Sequence, residues 1–397
     1  MNKLQIDIGS TYFKISAKGE IKQYFRDFDC EIYKDLNQKC GELLTTYKGD
    51  DILICSSANG GLSTLIIGIT TLFSLRYATN IAFNSGINII DTILYAKIQE
   101  ASIPKDTIDV VIIVGGIDGV VPKFDQQLLD YLERLNYRNI VYVGNKGDAK
   151  FVQNAIEDIV ILPNIIGEKL QIVEPHLKEY LTNLYQSNIV GREDIKQLYK
   201  ITNNQIYSTP YIVNNALPKL GTLFEIADPF LVIDIGGATT DIHYSTDLIE
   251  NKNSITQSEY DRMVFKKLGV FKSRQSLVFG AKNNEFVYEL LDYLGVNEHI
   301  LDEQSDKATI VLMQLAIFLV LYQVSKRHND YVSLKLEILN SIVLTGGVSK
   351  VLSDKDIETI IRFFYKKIIN YTKIPKIITD RNYEIWTLGI KEIHHGK

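Results

Sequence analysis

At 397 residues and 46% apolar content, the chain exceeds what one hydrophobic core usually serves, so two domains with an insertion are expected. Its 43 basic and 48 acidic side chains leave a well-mixed net charge of −5, without the basic stripe that a phosphate backbone demands, so no nucleic-acid partner is expected. Cys30, Cys40 and Cys55 are odd in number and lack CxxC spacing, which argues against a disulfide scaffold and fits a reducing cytoplasm.

The opening run MNKLQIDIG enters a strand pattern directly, with none of the charged and apolar regions of an export signal. Lys3 to Ile8 reads as a strand, and Asp51 to Cys55 as another. Ile66 to Phe73 is apolar but soon meets Arg76, which suits a buried element better than a membrane span. Ile87 to Ala101 carries apolar Ile90, Ile93, Leu94 and Ile98 and is expected to be helical. Strands Asp109 to Val114, Asn139 to Val143 and Ile159 to Leu162 then alternate with helices Gln126 to Leu135 and Ala149 to Glu157, and a helix Glu174 to Tyr185 follows. Pro210, Pro218 and Pro229 punctuate the approach to a strand at Phe230 to Ile235, which places a domain boundary near residue 225. Beyond it the pattern predicts helices Asn284 to Leu294, Lys307 to Arg327 and Asp356 to Tyr371, with a strand at Ser341 to Thr345. Ile310 to Tyr322 contains Gln314 and falls short of about 18 uninterrupted apolar residues, so a buried helix and no membrane span are expected. The alternation predicts an α/β fold with largely parallel sheets. Its expected divisions are a first domain over 1–225, including an α/β insertion at about 51–163, and a second domain over 226–397.

One device occurs twice. Met1 to Lys14 reads as a strand, then Asp7-Ile8-Gly9-Ser10-Thr11, then β-like residues; Leu231 to His243 reads as a strand, then Asp234-Ile235-Gly236-Gly237-Ala238-Thr239-Thr240-Asp241, then strand again. The two copies lie 227 residues apart (234 − 7), which is too far for a solenoid and suits two similar domains facing each other. Glycines at such a tip let backbone N–H groups approach a phosphate and tolerate the φ > 0 of a tight turn. Ser10, Thr11, Thr239 and Thr240 add hydroxyl donors. The strand-ending aspartates Asp7 and Asp234 suit hydrated Mg²⁺, which keeps most of its waters and binds through one or two carboxylates plus phosphates. A third glycine pair ends the strand Ile342 to Ser349 at Thr345-Gly346-Gly347, where backbone can pass close to a base or ribose. In this order the three turns predict a nucleotide site.

Each turn alone has a plainer reading, as an ordinary hairpin or strand-to-helix loop. Gly60-Gly61, Gly115-Gly116 and Gly144-Asn145 stand where α/β folds place ligands, or else let helices pack on strands. His243 could reach the phosphates but is expected instead to face solvent or to donate in the core; His394-His395 could be a metal pair but lacks an acidic or cysteine partner at ligand spacing and is expected to form a frayed tail; Cys55 is expected to sit buried and inert.

The three turns resemble the two phosphate motifs and the adenosine motif of the superfamily that includes actin, sugar kinases and the heat-shock chaperone ATPases. DIGSTYFK is similar to the first, with Lys14 seven residues after Asp7; DIGGATTD is similar to the second, with Thr239 and Asp241; VLTGGVS is similar to the third. The resemblance implies two actin-like (ribonuclease H-like) domains facing across a nucleotide cleft, with ATP and Mg²⁺ as cofactors. It further implies that Asp7 and Asp234 organise Mg²⁺ and water, that Lys14 contacts phosphate, and that Gly9, Ser10, Thr11, Gly236, Gly237, Ala238, Thr239, Thr240 and Asp241 line the phosphates. Asp7, Asp234 and Thr239 are the implied catalytic set, and Thr345, Gly346 and Gly347 would back the adenosine. No motif marks the residue that would polarise the attacking water.

A narrower resemblance runs in order from Met1 to Leu248. ICSSANGGLSTLIIGIT, DVVIIVGGIDGVV, NIVYVGNKGDA, LPNIIGEKLQIVEP and VIDIGGATTDIH are similar to the accessory proteins encoded with adenosylcobalamin-dependent glutamate mutase and with ornithine or lysine aminomutases. The implied function is a reactivating chaperone that uses ATP to release damaged cobalamin from a client mutase. GGIDGVVPK departs from that family with Ile117, Val120 and Val121 in place of a more polar, glycine-rich turn, and SITQSEYDRMVFKKLGVFKS lacks the glycine-bearing segment that the family carries there. A small-metabolite kinase, which needs a general base for a substrate hydroxyl, and an actin-like scaffold are the alternatives.

Overall fold

The computed structural model describes residues 3–57, 62–85, 87–189, 193–202, 206–249, 259–265, 267–326 and 333–395. Their strands form three five-stranded sheets. In the first, β1 (Leu4–Ile8), β2 (Tyr12–Ala17) and β3 (Glu20–Phe25) make an antiparallel meander. β4 (Ile52–Ser56) joins parallel to β1, and β10 (Ile206–Ser208) parallel to β4, giving the order β10-β4-β1-β2-β3. β1 and β4 are buried along their whole length, which is why both read as continuous apolar runs. Helix α1 (Ile32–Thr46) covers one face through Ile32, Leu36 and Leu44.

The second sheet repeats this order strand for strand. β11 (Phe230–Ile235), β12 (Thr240–Ser245) and β13 (Tyr260–Phe265) form the meander, β14 (Ser341–Gly346) lies parallel to β11, and β15 (Lys376–Thr379) parallel to β14. Register repeats as well: Asp7 stands opposite Lys14 and Cys55, while Asp234 stands opposite Asp241 and Thr345. The duplicated sequence device is therefore a duplicated sheet.

Between β4 and β10 comes the third sheet, of β5 (Ser63–Gly68), β6 (Asn88–Leu94), β7 (Ile108–Val114), β8 (Tyr137–Val143) and β9 (Val160–Leu162). All its pairings are parallel, in the order β6-β5-β7-β8-β9, the doubly wound 2-1-3-4-5 pattern. Helices α2 (Arg76–Asn84), α3 (Gln126–Leu132) and α4 (Lys146–Ala155) cross between its strands; α5 (Pro175–Ile189) and α6 (Glu193–Ile201) lead back to β10. Because β4 pairs with β1, the strand expected at Asp51 to Cys55 belongs to the first sheet and not to the insertion.

Two expectations need correction here. Ile87 to Ala101 is not a helix but strand β6 followed by a 3₁₀ turn over Tyr95–Glu100. A bulge beside Ile90 breaks the alternation, so Ile89 and Ile93 face opposite cores of the insertion at a four-residue spacing that imitates a helical turn. Pro210 and Pro218 do not mark a linker: both lie in helix α7 (Thr209–Phe224), Pro210 in its first turn, where a missing N–H costs nothing.

Helices α8 (Arg274–Lys282), α9 (Glu285–Tyr293), α10 (Asp306–Ser325), α11 (Val348–Val351) and α12 (Asp354–Phe364) cover one face of the second sheet. By length and composition α10 could cross a membrane, but 72% of its most apolar window is buried in this core. The other face meets α7 and α13 (Glu384–His395), which lie between the two duplicated sheets. Val213 and Leu217 of α7 pack with Val232 and Val343 of the second sheet, whereas Trp386 and Ile390 of α13 pack with Leu53 and Cys55 of the first. A Cβ on Gly389 would run into the carbonyl of Ile212, so the helices cross backbone against backbone.

Candidate functional site

The two glycine turns close in the same way. Gly9 donates its N–H to Tyr12 O at 2.9 Å, and Gly236 donates to Thr239 O at 2.9 Å. Their tips meet: a Cβ on Gly237 would collide with Thr11 Oγ1 and stand 3.0 Å from Ser10 Oγ. Thr11 Oγ1 is buried and has no hydrogen-bond partner among the described residues. Such an orphaned hydroxyl costs roughly 1–3 kcal/mol unless a ligand or water satisfies it.

The aspartates behind the tips differ in their surroundings. Asp7 accepts from Lys14 Nζ at 3.0 Å and from Thr209 Oγ1 at 2.6 Å, with Cys55 Sγ at 3.5 Å. Burial alone would lower the pKa of Lys14, but Asp7, Asp234 and Tyr383 outweigh it, so the ammonium is held charged. Asp234 accepts no hydrogen bond among the described residues and keeps part of its surface open. Burial, reinforced by Asp241, Asp7 and Asp380 and opposed by Lys14, lifts its carboxyl to about 6. Gly346, at φ +82°, brings the third turn against this carboxylate: a Cβ there would strike Asp234 Oδ1.

Asp7, Gly9, Ser10, Thr11 and Lys14 thus come together with Asp234, Gly236, Gly237, Gly346 and, through the Gly347 N–H bond to Ile235 O (3.1 Å), Gly347. Thr239 stays by the tip and donates to Asp241 at 3.3 Å. Ala238 is backed by Gly269 and Ser273, whose hydroxyl donates to Ala238 O at 2.6 Å. Two expected phosphate contacts are not made by this geometry. Thr240 is fully buried and donates to Leu268 O at 2.9 Å, and Asp241 is held by Arg262, with Nε at 3.0 Å. The pleat of β12 turns the first to the core, and a cation engages the second. Thr345 is buried and donates to Asp380 at 3.0 Å.

Four further residues join the cluster unannounced. Thr209 and Cys55 touch Asp7, Tyr383 lies with its ring 4.6 Å from Lys14 Nζ, and Asp380 caps α13 by accepting from Glu384 N at 2.7 Å. Ser208-Thr209-Pro210, a helix-start signature directly after the strand-favouring pair Ile206-Tyr207, could have signalled the first. His243 is buried with Nδ1 3.5 Å from Asn214, and burial with the Arg262 charge holds it neutral, as a core residue. At the Gly115 and Gly144 turns a Cβ would run into Tyr142, so these glycines serve packing. Gly60-Gly61 lies outside the described residues, and α13 continues through His394-His395.

Aromatic rings bridge the outer lip. Phe25 and Phe28 from the first unit meet Phe271 from the second at centroid distances of 5.9 and 5.8 Å. Each side is bonded to its own tip: Arg26 Nη1 donates to Gly9 O at 3.0 Å, and the Phe271 N–H to Gly237 O at 2.9 Å.

Two sheets of one repeated strand order, each placing a glycine hairpin after its first strand, define an actin-like α/β fold of two facing units. Within that class the chain belongs to the MutL protein family, whose family model matches residues 3–314. The match runs past Leu248, where the visible resemblance fades. The chain is similar to Protein MutL of Clostridium tetanomorphum, with 25% identity over 282 residues, 64% of this chain and 60% of that relative. It thus spans less than two thirds of the relative's length. Among solved structures, a glycerol dehydratase reactivase aligns with 99% of this chain and 100% of its own at 10% identity and a TM-score of 0.35. An archaeal actin homolog aligns with 100% of both chains at 14% identity and a TM-score of 0.32. At such scores the fold assignment rests on the strand order itself.

Proposed function

We propose that the chain binds Mg²⁺·ATP between its two hairpins, hydrolyses it, and serves as a reactivating chaperone for an adenosylcobalamin-dependent mutase or aminomutase. The observation that carries the ATP reading is the tip-to-tip meeting of two glycine hairpins around two aspartates, of which, among the described residues, only Asp7 is already bonded. The residues fit hydrated Mg²⁺: Asp234 takes no donor among the described residues, titrates near neutrality and stands close to Asp7. When bound, the ion would neutralise the polyphosphate and tie it to these carboxylates.

The chain's own groups divide the remaining work. Lys14 supplies a fixed cation for phosphate oxygens, and Gly9, Ser10, Thr11, Gly236, Gly237, Ala238 and Thr239 supply backbone and hydroxyl donors. Gly346 and Gly347 leave room for the nucleoside, with Thr345 fixed behind them by Asp380. Thr240 and Asp241 support the second tip from behind. Asp7 and Asp234 orient a water to attack the γ-phosphorus; the bond to the β-phosphate oxygen breaks, and ADP and phosphate leave.

Because the tips touch, a polyphosphate enters only as the units part. Residues 1–225 and 226–397 are the proposed domains, and α7 with α13 their joint. Family membership supports the client reading, as does the inserted parallel sheet, which a phosphate clamp does not need and which we assign as a client platform in the cytoplasm.

A pull-down from the native host with ATP, ADP or no nucleotide tests the proposal. Retention of a cobalamin-dependent aminomutase that differs between ATP and ADP is the expected result. ATP consumption that requires added metabolite and captures no protein would replace the chaperone with a kinase, and nucleotide-dependent sedimentation of the chain alone would replace it with a scaffold.

A further inference from the structure

The insertion is tied to the second sheet by a buried ion pair. Arg76, the first residue of α2, places Nε 2.6 Å from Asp261 Oδ2 on edge strand β13, and its Nη2 reaches the same oxygen. The two side chains are only 10% and 4% exposed, and Tyr244 donates to that carboxylate at 3.3 Å. Arg76 Nη1 is buried without a hydrogen-bond partner among the described residues. Two desolvated charges are a poor way to glue surfaces, since well-packed apolar residues hold at least as firmly, but they fix geometry.

The neighbouring residue on β13 holds the candidate site. Arg262 projects from the opposite face of the strand, and its Nε lies 3.0 Å from Asp241 Oδ1, with Nη2 on the same atom. The other oxygen of Asp241 accepts from Thr239 Oγ1 at the hairpin tip. The backbone N–H of Arg262 donates to Asp261 Oδ1 at 2.8 Å, and β12 pairs His243 with Arg262 and Tyr244 with Asp261. Two adjacent residues of one edge strand therefore grip the insertion on one side and the second hairpin on the other.

We propose that Arg76 is a positioning residue: through Asp261, Arg262 and Asp241 it sets the Thr239 tip, and occupancy of the cleft sets the insertion by the same route. This rests on the hairpins being the phosphate clamp. Coupling of this kind is reciprocal. The insertion thereby becomes the element that reports ATP against ADP, without touching nucleotide.

The test compares Arg76→Met, Asp261→Asn and the double variant with the wild-type chain. Calorimetry gives Mg²⁺·ATP and Mg²⁺·ADP affinities, and hydrogen exchange follows the amides of residues 236–243 without nucleotide. Arg76→Met is expected to shift the ATP-to-ADP affinity ratio about tenfold and to speed exchange at 236–243 while leaving residues 9–14 unchanged. The double variant, which strands no charge, should regain thermal stability and not the ratio. Recovery of the ratio together with stability would reduce Arg76 to a structural role and overturn the proposal, as would wild-type ratio and exchange in Arg76→Met. If the wild-type chain bound no nucleotide yet exchange at 236–243 still rose in Arg76→Met, the clamp reading would fall and the mechanical link would stand. Should Arg76→Met not fold, Arg76→Lys keeps the charge, loses the forked contact and is expected to move both readouts in the same direction.

Discussion

The two hairpins share a backbone and differ in charge. Opposite Asp7 stands Lys14, which bonds it, while Thr209 closes its other oxygen. Opposite Asp234, at the matching register, stands Asp241, a like charge whose own cation, Arg262, engages it from β13. A repeated fold thus supplies the same turn twice, and the cross-strand neighbour decides the chemistry. The first aspartate is anchored beside a fixed cation; the second accepts no hydrogen bond among the described residues and has a raised proton affinity, which suits the cation proposed for it.

Removing the open carboxylate should have the largest effect. Asp234→Ala is expected to lower Mg²⁺·ATP turnover by at least ~100-fold in a chain that still folds, as circular dichroism and a steady-state ATPase assay would show. The same aspartate should be a stability liability. Its folded pKa is about 6 against an ordinary 3.8, so folding holds a proton that the unfolded chain releases, and stability falls as pH rises from about 4 to 6. Asp234→Asn should therefore raise the free energy of unfolding at pH 8, by up to about 3 kcal/mol in urea titration, and with it the midpoint, and leave both unchanged near pH 3.5. An unchanged midpoint at pH 8 would mean that the carboxylate is not held as described. Lys14→Met breaks the other half of the comparison: it strands Asp7, whose side chain is only 1% exposed, and should cost about 3–5 kcal/mol of stability by denaturant titration as well as ATP affinity.

Both hairpins are legible in the sequence because a strand, an aspartate and adjoining glycines fall within a few consecutive residues. The duplicated sheet follows from them, since each hairpin is the first two strands of its unit. Lys14, which bonds Asp7, falls within the same motif, but the other partners of Asp7 are not legible: Cys55 lies 48 residues away and Thr209 202, brought in by parallel crossovers that no local period encodes. Thr240 and Asp241 look like phosphate ligands when hydroxyls and carboxylates are counted along the motif. The pleat of β12 and the Arg262 side chain on a different strand reassign them. The bulge in β6 and the prolines inside α7 show the same limit in the fold: a local signal is read correctly and a tertiary contact overrides it.

Smaller effects sharpen the comparison at the tips. Thr239→Ala removes a hydroxyl that among the described residues only Asp241 engages, so turnover should drop roughly tenfold while the melting temperature moves little, a contrast that separates phosphate contact from packing. The smallest change in stability belongs to Phe271→Ala. Phe271 is 47% exposed, and its ring pairs with Phe25 and Phe28 each contribute on the order of 1 kcal/mol at most. Those pairs nevertheless join the lips of the two units, and the Phe271 N–H bonds the second tip directly. Loss of the ring should leave that backbone bond and the hydrophobic cores intact and bias the units toward parting, which small-angle scattering without nucleotide would register as a larger radius of gyration. An unchanged radius would place the closing contact at Thr11 and Gly237 alone, and the aromatic lip would then be a consequence of closure instead of one of its causes.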